Sequence, residues 1–209
     1  MVTNKITAGM LQELYPERFE KEYWLWTEHA YQYKWWDYIY EQFKADCLPK
    51  GVRVDNISFS GFYSQGDGAT FDGQVDMPTY MELQGLHETY PALYLAVVDD
   101  GSRIGVRQNH RGNMEIYNYH VYANQTAPSG VFENLDQQAW EELIDEQERE
   151  VDFDDAVLKF CRGLADELYK DLEAEYEFLT SREQFIDSCT CNEVLFDIEI
   201  KGEEDEICN

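Results

Sequence analysis

The sequence predicts an α+β fold, in which an antiparallel sheet is flanked by aromatic-rich N-terminal helices and acidic C-terminal helices. Three observations carry that prediction. Trp36, Ile39, Tyr40, Phe43 and Cys47 recur at helical spacing near the start. The middle of the chain breaks into short apolar or alternating runs punctuated by glycine. Helical spacing then returns at Phe153, Val157, Phe160, Leu164, Leu168, Leu172 and Tyr176. A chain of 209 residues, 44% hydrophobic and 15% aromatic, can bury a core without disulfides or metal. It reads as one domain over 1–209, with a helix pair and sheet in 1–132 and an acidic helical segment with a last strand in 133–209.

In chain order, Tyr15-Pro16 opens a helix, because the fixed φ of proline suits the first helical position. Phe19, Tyr23, Trp26 and Ala30 continue it. A second helix is expected over Lys34–Cys47, ended by "LPKG". Val54–Tyr63 and Ala69–Met77 read as strands joined across "SQGDG", where glycine gives access to positive φ. "ALYLAVVD", bounded by Pro91 and Gly101, reads as a buried strand. "SRIGVRQN" and "MEIYNYHVY" flank "HRGN" as a hairpin; the second arm alternates only roughly, which leaves its facing open. After "APSG" come helices over Leu135–Glu150 and Phe153–Phe178, a short helix over Ser181–Asp187 and a strand in "EVLFDIEI". Tryptophans at 24, 26, 35 and 36 cannot all share one helix face, so some aromatics are expected at the surface as protein-binding anchors.

The formal net charge is -27, from 43 acids against 16 bases. Direct nucleic-acid binding and an anionic membrane are excluded as partners, because both need a basic footprint. A basic protein surface or a cation is the natural complement. From Glu133 to Asn209 there are 26 acids and 6 bases, so most of the excess lies in the last third. The candidate partner-binding residues are Glu141, Glu142, Asp145, Glu146, Glu148, Glu150, Asp152, Asp154 and Asp155. As a helix, "ENLDQQAWEELIDEQERE" would place its 8 acids and 1 base over roughly 27 Å. One such helix is more dilute in charge than duplex DNA, and two side by side approach half its density. The plain alternative is a solvated face that aids solubility.

Other constellations carry weaker chemistry. In the "SQGDG" loop, Ser64, Gln65 and Asp67 offer polar groups to a ligand, with Asp72 nearby. The loop lacks the lysine of a phosphate loop and the acid spacing of a calcium loop. Arg103, Arg107, His110 and Arg111 make a basic island. It is expected to pair with the acidic helices, or to form with the loop an anion or phosphorylated small-molecule site using Arg107 and His110. Five cysteines at uneven spacing suit a reducing cytoplasm rather than a disulfide framework. Cys189-Thr190-Cys191 lacks a second ligand pair, so no metal and no cofactor is expected. The N-terminus "MVTNKITAGMLQELYPERF" has no apolar signal core, and no apolar run is long enough to span a bilayer.

The stretch "YKWWDYIYEQFKAD" followed by "ISFSGFYSQGDGATFDG" resembles a signature of uncharacterised bacteriophage and prophage proteins, a tryptophan-rich helix leading into F-S-G-F-[WY]-S-Q-G-D-G. The resemblance covers Lys34 to Gly73 and implies a viral or mobile-element origin and a bacterial cytoplasm. Together with the acidity, it leads to the expectation of an inhibitor of a host nucleic-acid-binding defence or repair protein that imitates nucleic-acid charge. The alternatives are a small-molecule enzyme built on the glycine loop and basic hairpin, and a non-catalytic antitoxin or accessory protein.

Overall fold

A computed structural model describes residues 2–30, 33–109, 112–120 and 153–200. The elements form an α+β fold with two antiparallel sheets. The chain divides into two compact units, one of residues 36–172 and one of 1–35 with 173–209.

The larger unit begins with α1 (Asp37–Cys47), three residues later than the sequence suggests. A 3-10 turn over Leu48–Lys50 follows and ends at Gly51 with φ +74°. The sheet has the order β1 (Val52–Ser60), β2 (Gly68–Asp76), β3 (Arg103–Gln108) and β4 (Met114–His120), with every neighbour antiparallel. Three helices connect β2 to β3: α2 (Met77–Leu83), α3 (Leu86–Thr89) and α4 (Pro91–Asp100). Asp76 caps α2 through hydrogen bonds from the Thr79 backbone (3.2 Å) and hydroxyl (2.7 Å). The excursion closes where the Met77 N–H donates to the Ser102 carbonyl at 3.0 Å.

The segment expected as a buried strand, "ALYLAVVD", is therefore helix α4. Pro91 occupies its first turn, and Gly101 caps it in the left-handed region at φ +60°. Only Leu93 and Val97, four residues apart, are fully covered, while Leu95 and Val98 are exposed. A short apolar run with no alternation fits either element, and the proline and glycine at its ends decide for the helix.

One sheet face carries Val52, Val54, Phe71, Val75, Ile104 and Val106, all buried. Phe43 of α1 meets Phe71 edge-on at 5.6 Å, and Trp36 meets Phe59 at 5.5 Å. Two irregularities adjust this pattern. Opposite β2 the register skips Asp55, and opposite β3 it skips Tyr117. The second bulge is why the alternation of "MEIYNYHVY" is broken. The long helix α5 (Phe153–Leu179) gives residues 153–172 to this unit and buries Val157, Leu164, Leu168 and Leu172 as its spacing predicts, with Cys161 and Ala165 beside them and Phe160 only half-buried.

The smaller unit holds strand β5 (Val2–Ile6), helices α6 (Ala8–Leu14), α7 (Pro16–Ala30) and α8 (Arg182–Cys191), and strand β6 (Phe196–Ile200). Thr7 and Ser181 cap α6 and α8 by accepting from the N–H groups of Met10 and Gln184. Strands β5 and β6 pair antiparallel from Val2↔Ile200 to Ile6↔Phe196, making a second sheet that the sequence reading did not anticipate. Phe185 is surrounded by Phe19, Tyr23, Trp26 and Phe196, with ring centroids 5.4 to 6.4 Å away. Trp24 points outward, 60% exposed, which separates the tryptophans as expected. The helix expected over Leu135–Glu150 lies outside the described residues.

Candidate functional site

The glycine-rich loop between β1 and β2 is held by one carboxylate. Asp67 Oδ2 accepts from the N–H groups of Tyr63 (2.8 Å) and Ser64 (2.6 Å), and the Asp67 N–H donates to the Ser64 carbonyl at 3.1 Å. Gly66, at φ +96°, supplies the left-handed residue between them. The Tyr169 hydroxyl of α5 donates to the Gly61 carbonyl at 3.2 Å, and the Phe62 ring lies 5.5 Å from that of Tyr169. Asp67 therefore has a structural task, and the stretch behaves as a turn.

The β3–β4 hairpin is organised in the same way. Asp72 Oδ1 accepts from the Gln108 N–H at 3.1 Å, just beyond the last paired residues of β2 and β3. The Gln108 side chain donates to the Gly112 carbonyl at 3.2 Å, and the Asn113 N–H donates to Asn109 Oδ1 at 3.0 Å.

Loop and hairpin meet at one cavity of about 330 Å³ on the outer side of the sheet, where Ser58, Ser60, Asp67, Thr70, Gln108 and Gly112 form its walls. The register places Ser58 opposite Thr70 and Ser60 opposite Gly68, on the face away from Ile57 and Phe71. Thr70 is only 9% exposed, and its hydroxyl has no hydrogen-bond partner among the described residues. Such a group costs free energy until something bonds it. The described walls carry hydroxyls, an amide and a carboxylate, a donor set suited to a neutral polyhydroxylated molecule rather than a phosphate.

Of the loop residues expected at a ligand site, Asp67 lines this cavity, whereas Ser64 and Gln65 are exposed and do not. Arg107 is not a wall residue. Its guanidinium binds Glu115 Oε1 at 3.0 Å through both Nε and Nη2 and lies 5.2 Å from the centre of the Tyr117 ring. Arg103 similarly lies 3.7 Å from Asp76. Arg103 and Arg107 of the basic island thus meet acids of neighbouring strands, and Arg111 lies outside the described residues. His110 lies outside the described residues, as do Glu141, Glu142, Asp145, Glu146, Glu148, Glu150 and Asp152. Asp154 falls in the first turn of α5, where its side chain is outside the description, and Asp155 beside it is exposed.

The wall residues Ser58, Ser60 and Thr70 were missed in the sequence reading, although a signal existed. Asn56, Ser58 and Ser60 repeat at period two against Ile57 and Phe59, the mark of a polar outer face. Gln108 and Gly112 depend on strand pairing and carry no such mark. Burial disfavours the thiolate form of the buried cysteines. Burial pushes Cys47 up to about 11 and Cys161 up to about 12, and it also raises Cys189. No helix among the described residues is long and apolar enough to cross a membrane.

Fold and cavity together define an α+β protein with a polar cleft where two β-hairpins come together. A family model described as a domain of unknown function (DUF8835) matches residues 35–182, and the chain belongs to that family. No curated protein and no solved structure matches the chain.

Proposed function

We propose that the protein is an acidic inhibitor, of phage origin and acting in the bacterial cytoplasm, that occupies the basic nucleic-acid-binding surface of a defence or repair protein. One observation carries this reading. Four arginines of the described residues are neutralised internally, Arg53 by Asp55 at 3.3 Å, Arg103 by Asp76, Arg107 by Glu115 and Arg182 by Glu20 at 2.9 Å. Those four therefore offer no free basic patch, and the net charge of -27 leaves a large surplus of acids to meet a basic partner. Exposed Trp24, Tyr38 and Tyr63 supply aromatic anchors of the kind that give such contacts specificity.

The test is competition. Purified protein is added to a restriction nuclease, a CRISPR effector and a recombination nuclease, each with labelled DNA or RNA. Displacement of nucleic acid from one of them, weakening steeply between 50 mM and 300 mM salt, is expected. The quadruple variant Glu141→Lys, Glu142→Lys, Asp145→Lys, Glu146→Lys should lose displacement while Glu28→Lys keeps it. If no member of the panel releases nucleic acid, the inhibitor reading falls. If a partner is bound equally well by the quadruple variant, the antitoxin or accessory reading takes its place.

A second reading follows from the meeting of Asp67 with Gln108 and Gly112 at one cavity, which favours a small-molecule site. Saturable binding of a monosaccharide or polyol from a screened set, lost in Thr70→Val, supports it. No binding across the set removes it.

A further inference from the structure

A separate groove of about 580 Å³ lies in the larger unit, between α2, the N-terminal half of α5 and the end of the 3-10 turn. Its apolar walls are Tyr80, Leu83, Phe160 and Leu164, and its volume falls within the range of roughly 300–1,000 Å³ typical of small-molecule sites. Tyr80 and Phe160 meet at 5.4 Å, so the aromatic wall is continuous.

Two features of this groove are left unexplained by packing. The first is Gly163. It sits inside a 27-residue helix, it is not among the positive-φ glycines, and a Cβ built on it would meet nothing within 4 Å. Glycine inside a helix costs stability relative to alanine. Neither backbone conformation nor a close neighbour requires it here, and its effect is to leave that wall of the groove open. The second is Lys159, one turn earlier on the same helix. It is exposed and has no ion-pair partner among the described residues, in a chain with 43 acids and 16 bases. Contrast the cavity of about 240 Å³ beside Gln74, where Arg53 and Arg103 are each held by an aspartate. Among the described walls, Lys50 reaches Glu167 at 3.3 Å, so two lysines face one glutamate and one positive charge remains.

We propose that this groove binds a small amphipathic carboxylate, with the anion taken by Lys159 and Lys50 and the aliphatic or aromatic body laid on Tyr80, Leu83, Phe160 and Leu164. A single surplus charge and the absence of an arginine fork among the described wall residues suit a monoanion rather than a phosphate. The inference is independent of the inhibitor reading.

The full chain is titrated calorimetrically with decanoate and, as the uncharged counterpart, decan-1-ol. Decanoate is expected to bind at one site. Lys159→Glu should weaken decanoate by about tenfold or more while leaving the alcohol within about twofold. Gly163→Leu should abolish both by filling the groove, and should raise the melting temperature because leucine is the better helix former. Lys170→Glu, on the same helix but not a wall of the groove, is the control and should change neither. The proposal is overturned by absence of saturable decanoate binding, by binding that survives Gly163→Leu, or by equal losses in Lys159→Glu and Lys170→Glu. A lower melting temperature for Gly163→Leu would also sink it, because the glycine would then be explained by packing.

Discussion

Gly73 pairs with Val54 across the bulge at Asp55, and a Cβ there would collide with the Arg53 carbonyl oxygen. The strands must separate to admit one. Gly73→Ala is expected to lose about 1–3 kcal/mol in urea denaturation; no measurable change would show that the strands yield freely. Arg182 makes the complementary case at the surface. It binds both Glu20 oxygens at 2.9 Å and covers the Tyr23 ring at 5.0 Å. Its hydrogen bonds hold the Glu20 carboxyl below the usual 4.5. The linked stability is present above pH 4.5 and is lost as pH falls through the lowered value. Arg182→Lys should therefore melt at a lower temperature than the parent at pH 7 and converge on it in acid; a gap independent of pH would assign the effect to packing on Tyr23. At this scale the sequence was legible where chemistry is local. "GDG" announced a turn because glycine, aspartate and glycine act on their own backbone, as the Asp67 bonds to Tyr63 and Ser64 illustrate. The demand on Gly73 was not legible, because it comes from a partner strand and a bulge.

Among the described residues, elements long enough to repeat their pattern were read correctly. Helix α5 declared itself through a stripe from Val157 to Leu172, and β1 and β2 through the turn that joins them. The run after Pro91 was too short to show a period, and β5 was hidden because Val2–Ile6 carries only two apolar residues and gains its strand character from β6. Helix α5 also sets a measurable pH response. The Cys161 thiol is raised from 9.0 to about 12, chiefly by burial and further by the nearness of Cys47. Both folded and unfolded chains keep this thiol protonated below pH 9. Above it only the unfolded chain ionises, so stability falls as pH rises from about 9 toward 12. Urea midpoints for the parent should drop more steeply over that interval than those of Cys161→Val. Parallel slopes would mean that the thiol is already open to solvent.

Over the whole molecule, the surplus of 43 acids over 16 bases sets the response to salt. The ion pairs of Arg18, Arg53 and Arg182 are largely exposed and weaken as salt rises, but self-repulsion among the remaining carboxylates weakens as well. The second effect involves more charges. The melting temperature should therefore rise between 10 mM and 0.5 M sodium chloride, as the screening length falls from about 30 Å to a few ångströms. A fall would mean that the acids are compensated locally.

The pairing of β5 with β6 bears on the order in which the protein can assemble on the ribosome. Ile6 and its partner Phe196 are separated by 196 − 6 = 190 positions. At about 5–20 residues per second, β5 waits roughly 10–40 seconds for the strand that completes it. Residues 36–172 are all synthesised within that interval. The larger unit can therefore be finished while the first thirty-five residues still lack their counterpart, exposing Phe19 and Leu11 to chaperones for as long as translation lasts.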